Sequence, residues 1–471
     1  MNFLKASHIH FTGIKGVGMT ALSLCAQDLR IKVSGSDLDE PFVTDEILKK
    51  RRIRWQPGFS TRHVPVYPER SRRANSLLVY TAAHQGSHNP QVLFAQRQGI
   101  PTLSHAQALA QAMSGKIGLA VCGVGGKTTT SAMLATILDQ AQLHPSFAIG
   151  VGNIPSLHTP GRYDRQGKHF VVEADEYATD PPHDLTPRFL YLHPHLIIAT
   201  NIEFDHPDIY ADLDQTKAAF LNFFNRLPPD GLLLINLDSP INRSLISRLT
   251  IPYQTYGTHP QADWRLENST VTHQGVSQTL NLKVPGSFNA LNATAALAAA
   301  VFLGVDGRTA ATALSRFTGT QRRFEAIAKI NQVYLYDDYA HHPRQLKATL
   351  QAAKSYFPGH QLIAIFQPHT YSRTRALVNE FAKSFEFADQ VIFLPIYASA
   401  RETPDPTISS QILAHTTAQF HPRSYFLTPQ DLGDFLLHHL NPPTVIFTLG
   451  AGDIYLLHRE LISVLKTFTP K

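Results

Sequence analysis

A chain of 471 residues is longer than one hydrophobic core usually organises, which predicts two or three domains. With 43% hydrophobic and 17% charged residues it has the balance of a folded soluble protein, and a disordered chain is excluded. The formal charge of +6 is spread over scattered Lys and Arg with no sustained basic run beyond Arg51 to Arg54, which favours anionic small molecules over nucleic acid. No apolar stretch approaches the roughly 20 residues that span a bilayer, and the amino terminus turns polar too early for a signal peptide. The cytoplasm, with no membrane partner, is therefore the expectation. Cys25 and Cys122 both lie in apolar stretches and read as buried thiols.

In chain order, residues 8–12 read as a short buried strand, followed by Gly-rich GIKGVG, an apolar-periodic helix, and a second strand ending in Asp37. That is how a Rossmann-like unit opens. The run SLLVYTAA predicts another strand, NPQVLFAQRQG a helix, and Leu103 to Met113 a connecting helix, with a first boundary near Ser114–Gly115. A second α/β block starts with the strand IGLAVCG and continues through HFVVEAD, HLIIATNIE and GLLLINLD, which implies a mostly parallel sheet. Tyr256 to Val284 suggests a small antiparallel excursion, and PGSFNALNATAALAAAVFLG one Ala-rich helix started by its Asn residues and ended by Gly304. After a boundary near Thr318 to Arg323, VYLYDDYA, QLIAIFQP, QVIFLPI and TVIFTLGAGDI repeat the α/β rhythm. The fold class expected is α/β in three domains, at residues 1–114, 115–320 and 321–471: Rossmann-like, a central P-loop ATPase, and Rossmann-like again.

The strongest motif is Gly123-Val124-Gly125-Gly126-Lys127-Thr128-Thr129, between a strand and a helix. Glycines let backbone N–H groups close around phosphate oxygens, Lys127 neutralises their charge, and Thr128 offers a hydroxyl to Mg²⁺. Val121 stands where the strict pattern has its first Gly, so the match is to the shorter G-x-x-G-K-[ST] form. A glycine-rich turn with a solvated lysine is the plain alternative. Glu173, Asp175 and Glu176 finish one further strand, and Asp205 and His206 follow another. In a parallel sheet such ends share one edge. Carboxylates suit one Mg²⁺, and an imidazole beside them suits a second Mg²⁺ or Mn²⁺ site; a surface or capping carboxylate is the alternative for Glu173 alone.

These residues resemble the Mur ligase family along the whole chain. The segments that carry the likeness are GIKGVGM, GVGGKTTT, EADE, TNIEFDH, PGSFNALNATAA, TGTQRRFE, DDYAHHP, FQPHTYSRT and GAGDI, in the family's order. Within the family they most resemble the ligases that join L-alanine to UDP-N-acetylmuramate. The resemblance implies ATP as co-substrate, two Mg²⁺ sites, a monomer or weak homodimer, and an acyl phosphate on the sugar's lactyl carboxylate that an amine then attacks. It also implies roles: Gly123, Gly125, Gly126, Lys127, Thr128 and Thr129 for the ATP phosphates, and Thr128, Glu173 and His206 for metal. Asn289 and Asn292 would touch the adenine, while Arg323 and Asp338 would reach the nucleotide. Tyr339, His341 and Arg373 would close over the substrates. Gly16, Val17, Gly18 and Met19 would take the UDP pyrophosphate, with Asp37, Thr81 and Ala82 near the uridine and sugar. By their residues alone, His341 reads as a capping or packed histidine, Arg373 as a solvated helix residue, and the first domain as a dinucleotide dehydrogenase.

Departures from the family's usual writing are Val124 and Gly125 in place of Thr and His, Phe288 for a His, and Thr370 for an Arg. The segment after EADE, from Tyr177 to Pro194, is more like the recycling ligase that attaches an intact tripeptide to the same sugar nucleotide. A nucleotide-binding regulator without catalysis is a further reading, motivated by the altered loop.

Overall fold

Alternation of short apolar runs with helices is realised as three sheets and a hairpin in the computed structural model, which describes residues 2–66, 75–398 and 402–469. Two compact units result: Met1–Lys283 with Ala290–Gln321, and Val284–Asn289 with Arg322–Lys471.

In the first unit, β1 (His8–Thr12), β2 (Lys32–Asp37), β3 (Trp55–Pro57), β4 (Ser76–Tyr80) and β5 (Thr102–Ser104) form a parallel sheet in the order β3-β2-β1-β4-β5. The order reverses at β1, so Gly13, Asp37 and Thr81 leave one edge at a topological switch point. Residues 102–104 are strand, not the start of the expected helix. Ser104 ends the strand by capping helix His105–Met113: its hydroxyl accepts from Gln107 N–H, and the Gln107 side chain accepts from Ser104 N–H.

The ten-stranded sheet comprises β6 (Ile117–Cys122), β7 (Ser146–Ala148), β8 (Gly161–Arg162), β9 (His169–Glu173), β12 (Leu196–Ala199), β13 (Leu232–Asn236), β14 (Tyr253–Gly257), β15 (Trp264–Glu267), β16 (Thr270–His273) and β17 (Val276–Thr279). Its order is β17-β16-β15-β14-β13-β12-β6-β9-β7-β8, parallel from β15 to β7 and antiparallel beyond them. The intervening β10 (Ala178–Asp180) and β11 (Asp184–Pro187) form a separate antiparallel hairpin. The Ala-rich helix runs Ser287–Phe302, so Asn289 and Asn292 lie inside it and do not start it; Gly304, at φ +86°, ends it.

Helix Val17–Asp28 is buried without interruption from Met19 to Ala26. A helix covered on all sides needs more than one partner. It has the first sheet on one side and β7 and β8 on the other: Cys25 Sγ–H donates to Phe147 O at 3.4 Å, and Tyr163 N–H to Asp28 Oδ2 at 3.0 Å.

The second unit holds β18 (Glu325–Ile330), β19 (Val333–Asp338), β20 (Gln361–Phe366), β21 (Gln390–Phe393), β22 (Ser424–Phe426) and β23 (Thr444–Leu449), ordered β18-β19-β23-β20-β21-β22. All are parallel except β18. β18 and β22 are half-covered edge strands without a continuous apolar run, which is why the sequence did not announce them. No described helix is long and apolar enough to cross a membrane.

β1 carries two buried histidines. His8 Nε2 and His10 Nδ1 lie 2.9 and 3.0 Å from Ser34 Oγ, and Gln91 ties Ser36 Oγ (2.8 Å) to the Thr12 hydroxyl (3.0 Å). Burial lowers His8 to about 4 and His10 to about 3, so both stay neutral in the fold. Unfolded, they would titrate near 6.5 and bind protons that the fold refuses. Stability should therefore fall as pH drops from 6.5 toward 4, by up to about 2 kcal/mol per histidine at pH 5. Urea unfolding at pH 7.5 and 5 checks this; His10→Asn should flatten the difference, and an unchanged pH slope would refute it.

Candidate functional site

The phosphate loop leaves β6, whose two neighbours are β9 and β12, so their carboxyl ends lie side by side. Two glycines make the loop possible. Gly123 sits at φ +120°, where a Cβ would overlap the Thr200 hydroxyl and lie 2.7 Å from Asn201 O. Gly126, at φ +83°, would put one 2.5 Å from Asn292 Oδ1. Asn292 thus packs directly on the loop ahead of helix Lys127–Gln140.

Lys127 Nζ donates to Gly123 O (2.6 Å) and to Glu176 Oε2 (2.9 Å) and Oε1 (3.2 Å). Burial opposes its charge, but Glu176, Asp175 and Glu173 outweigh that and hold its pKa above the ordinary lysine value. Thr128 Oγ1–H donates to Glu173 Oε2 at 3.0 Å, and Gly150 N–H to Glu173 Oε1 at 2.7 Å. His206 adopts φ +59°, uncommon for a residue with a side chain. Its Nε2 lies 3.8 Å from Glu176 Oε1 and from Asp205 Oδ2, with its ring 4.7 Å from that of Tyr177. Asp175 is half-buried, and loss of water around it would raise its pKa, yet the Arg188 guanidinium at 2.8 Å, with Lys127 and His206, keeps it well below the carboxylate range.

Lys127, Thr128, Glu173 and His206 are thus brought to one edge of one sheet, in two groups: Thr128 with Glu173, and His206 with Glu176 and Asp175. Ligand atoms of the latter three lie within 4.8 Å of one another, a donor set of two carboxylates and an imidazole that fits a divalent cation. The hydroxyl and carboxylate of the first group fit another.

Sequence reasoning named Glu176 only as a strand end and passed over Asn201. Asn201 Oδ1 accepts from Gly125 N–H (3.0 Å), its backbone O from Val124 N–H (2.8 Å), and its Nδ2 donates to Glu203 (2.6 Å). The signal lay in TNIEFDH, whose Asn was available. Asn201→Ala should free the Gly125 N–H and loosen the loop, raising KM for ATP about tenfold with little change in melting temperature; an unchanged KM would count against it.

At the first sheet's edge, Asp37 accepts from Lys15 N–H (2.6 Å) and Leu38 N–H (2.8 Å), fixing the turn before Gly16, Val17, Gly18 and Met19. Burial raises its pKa against those two bonds. Thr81 N–H donates to Thr12 O at 3.2 Å, which brings Thr81 and Ala82 beside the same turn. A side chain at Gly18 would meet His105, which the sequence did not single out.

In the second unit the sheet's carboxyl edge gathers its own group. Asp338 accepts from Phe324 N–H and Ala340 N–H, both 2.8 Å, while burial lifts it to about 6 against the pull of Arg323. The Arg323 guanidinium lies over the Tyr339 ring at 4.9 Å. His341 Nδ1 is 2.9 Å from Tyr339 O, and Asn289 Nδ2 donates to Pro285 O at 2.6 Å. Arg373 is buried, not solvated, with Nη1 3.3 Å from His369 Nδ1; His369 in turn stacks on Tyr397. Arg322, not Arg323, is the structural arginine: it pairs with Asp337 at 2.9 Å and donates to Gly450 O and Gly452 O.

Three family patterns match in order: Mur ligase family, catalytic domain, over residues 8–117; Mur ligase middle domain over 121–300; and Mur ligase, glutamate ligase domain, over 322–452. The UDP-N-acetylmuramate–L-alanine ligase of Desulfitobacterium hafniense is 36% identical over 468 residues, covering 97% of this chain and 99% of that one. The chain belongs to the Mur ligase family. Among solved structures, UDP-N-acetylmuramate-alanine ligase MurC from Thermotoga maritima superposes with a TM-score of 0.77 at 26% identity, covering 97% of this Mur ligase and 98% of its own chain. A murein peptide ligase from Psychrobacter arcticus follows at 0.73 and 25%, covering 99% and 100%.

Proposed function

We propose that this Mur ligase joins L-alanine to the lactyl carboxylate of UDP-N-acetylmuramate at the expense of ATP, in cytoplasmic cell-wall synthesis. The observation that carries the reading is the meeting of Lys127, Thr128, Glu173 and His206 on adjacent strand ends. Its assignment to L-alanine rests on the likeness to ligases of that name.

Residues 1–114 would take the sugar nucleotide, 115–320 the ATP, and 321–471 the amino acid. The lactyl carboxylate oxygen attacks the γ-phosphorus and ADP leaves; the amine nitrogen then attacks the acyl carbon and phosphate departs with the C–O bond. Lys127 compensates the charge that builds on the transferred phosphoryl group, and the N–H groups that open helix Lys127–Gln140 hold its oxygens. Divalent cations held by Thr128 with Glu173, and by His206 with Glu176 and Asp175, would neutralise phosphate charge. Asn292 would face the adenine from against the loop, with Asn289 one turn earlier. Arg373 and His341 would orient the carboxylate-bearing partners.

Phosphate release with UDP-N-acetylmuramate and ATP, measured with L-alanine and then with the L-Ala-D-Glu-diaminopimelate tripeptide, tests the reading. Release with L-alanine is expected. Release with the tripeptide alone would transfer the assignment to the recycling reaction, and release with neither would favour a regulator.

A further inference from the structure

The phosphate loop uses only the carboxyl ends of the central strands. Their amino ends, across the sheet by about 20 Å for a six-residue strand, frame a cavity of about 790 Å³ built by the residues that enter β6, β9 and β12. Four basic side chains line it, Lys116, Arg165, Lys168 and Arg226, together with His193 and His195. Among the described residues no Asp or Glu lines it, although the chain has 36 of them to 42 Lys and Arg.

Two of the cations are held in place. Lys116 Nζ donates to Asp164 O (2.7 Å) and to Gly167 O and lies 4.7 Å from the centre of the Tyr163 ring. Arg165 Nη2 donates to Leu29 O at 2.7 Å. Lys168 and Arg226 are exposed and make no ion pair among the described residues. Two carboxylates border the cavity without lining it: Asp164 accepts from Gln166 N–H at 2.9 Å, lies 3.7 Å from His144 and attracts the Lys116 charge, and Asp230 lies 3.5 Å from His195. The positive field is felt by buried His169, whose pKa is lowered by burial and then by Lys116 and Lys168.

Arg226 follows the end of helix Leu213–Phe224, where a cation complements exposed carbonyls. That accounts for one of the four. Four like charges around one concavity repel one another until an anion joins them, and the volume is that of a small-molecule site.

We propose that this cavity binds a small anion bearing a di- or triphosphate group, separately from the phosphate loop. The test uses the full chain carrying Lys127→Ala, so that the loop contributes little, titrated calorimetrically with inorganic pyrophosphate and, in a second arm, with ADP. One equivalent of pyrophosphate should bind with an affinity that falls as NaCl rises, and Lys168→Glu with Arg226→Glu should weaken it at least tenfold. If ADP binds more tightly than pyrophosphate and is weakened equally by the charge reversal, the diphosphate is an organic one; equal affinities point to the inorganic ion. With Lys127 intact, the charge-reversed chain should keep its melting temperature and its ATP turnover within twofold. Pyrophosphate affinity that changes less than twofold on charge reversal, no binding in the Lys127→Ala chain, or tighter binding of a short single-stranded RNA would each overturn the proposal.

Discussion

Lys127→Ala should lower the rate of phosphate release by at least about 10³-fold and cost about 3 kcal/mol of stability. The rate falls because the ammonium is the one fixed charge on the loop able to meet the developing negative charge of the transferred phosphoryl group. The stability falls for a second reason, which the sequence could not show. Glu176 is 2% exposed and has the Lys127 ammonium 2.9 Å away, so truncation leaves a carboxylate desolvated beside Asp175 and Glu173. Adding Glu176→Gln to the variant removes that charge and should restore most of the stability but none of the rate. Initial rates and urea unfolding of the two chains separate the effects. A near-normal rate in Lys127→Ala would defeat the assignment of the loop.

Glu173→Ala and His206→Ala should each raise the Mg²⁺ concentration needed for half-maximal rate at least about tenfold. Each residue belongs to a different donor group, Glu173 with the Thr128 hydroxyl and His206 with Glu176 and Asp175. Rates recovered at high Mg²⁺ would mark a weakened site, whereas unrecoverable rates would mark a misplaced phosphate. Glu173→Ala also deprives Gly150 N–H of its acceptor at 2.7 Å, so its melting temperature should drop more than that of His206→Ala. Mg²⁺ dependence unchanged in both variants would remove the two residues from the site.

The fold was legible where strands buried on both faces are rich in apolar residues: His8–Thr12 and Ile117–Cys122 were read to within a residue, and TVIFTLGAGDI placed Thr444–Leu449 but overran its end by five residues. Edge strands such as Glu325–Ile330 share their period with loops and were invisible. The loop and the strand-end carboxylates were legible because glycine, lysine and acidic residues follow apolar strands in a parallel α/β pattern. What the sequence could not give is which carboxylate partners which cation. EADE offers three acidic side chains within four positions, and only the backbone after β9 decides that Glu173 turns to Thr128, Glu176 to Lys127 and Asp175 to Arg188. Asn201 was missed for the same reason: an amide two residues past a strand carries no charge to betray it.

Helix Val17–Asp28 has one further consequence. Because β8 presses against it so closely that a methyl group at Gly161 would overlap the Ala21 carbonyl, the amino-terminal five-stranded sheet and its helices are not a detachable module. A polypeptide truncated near residue 114 would lose the wall behind Ala21, Leu24 and Cys25 and present a greasy stripe to solvent. Such a fragment should clump when expressed alone, while one carried through to residue 321 should stay dispersed.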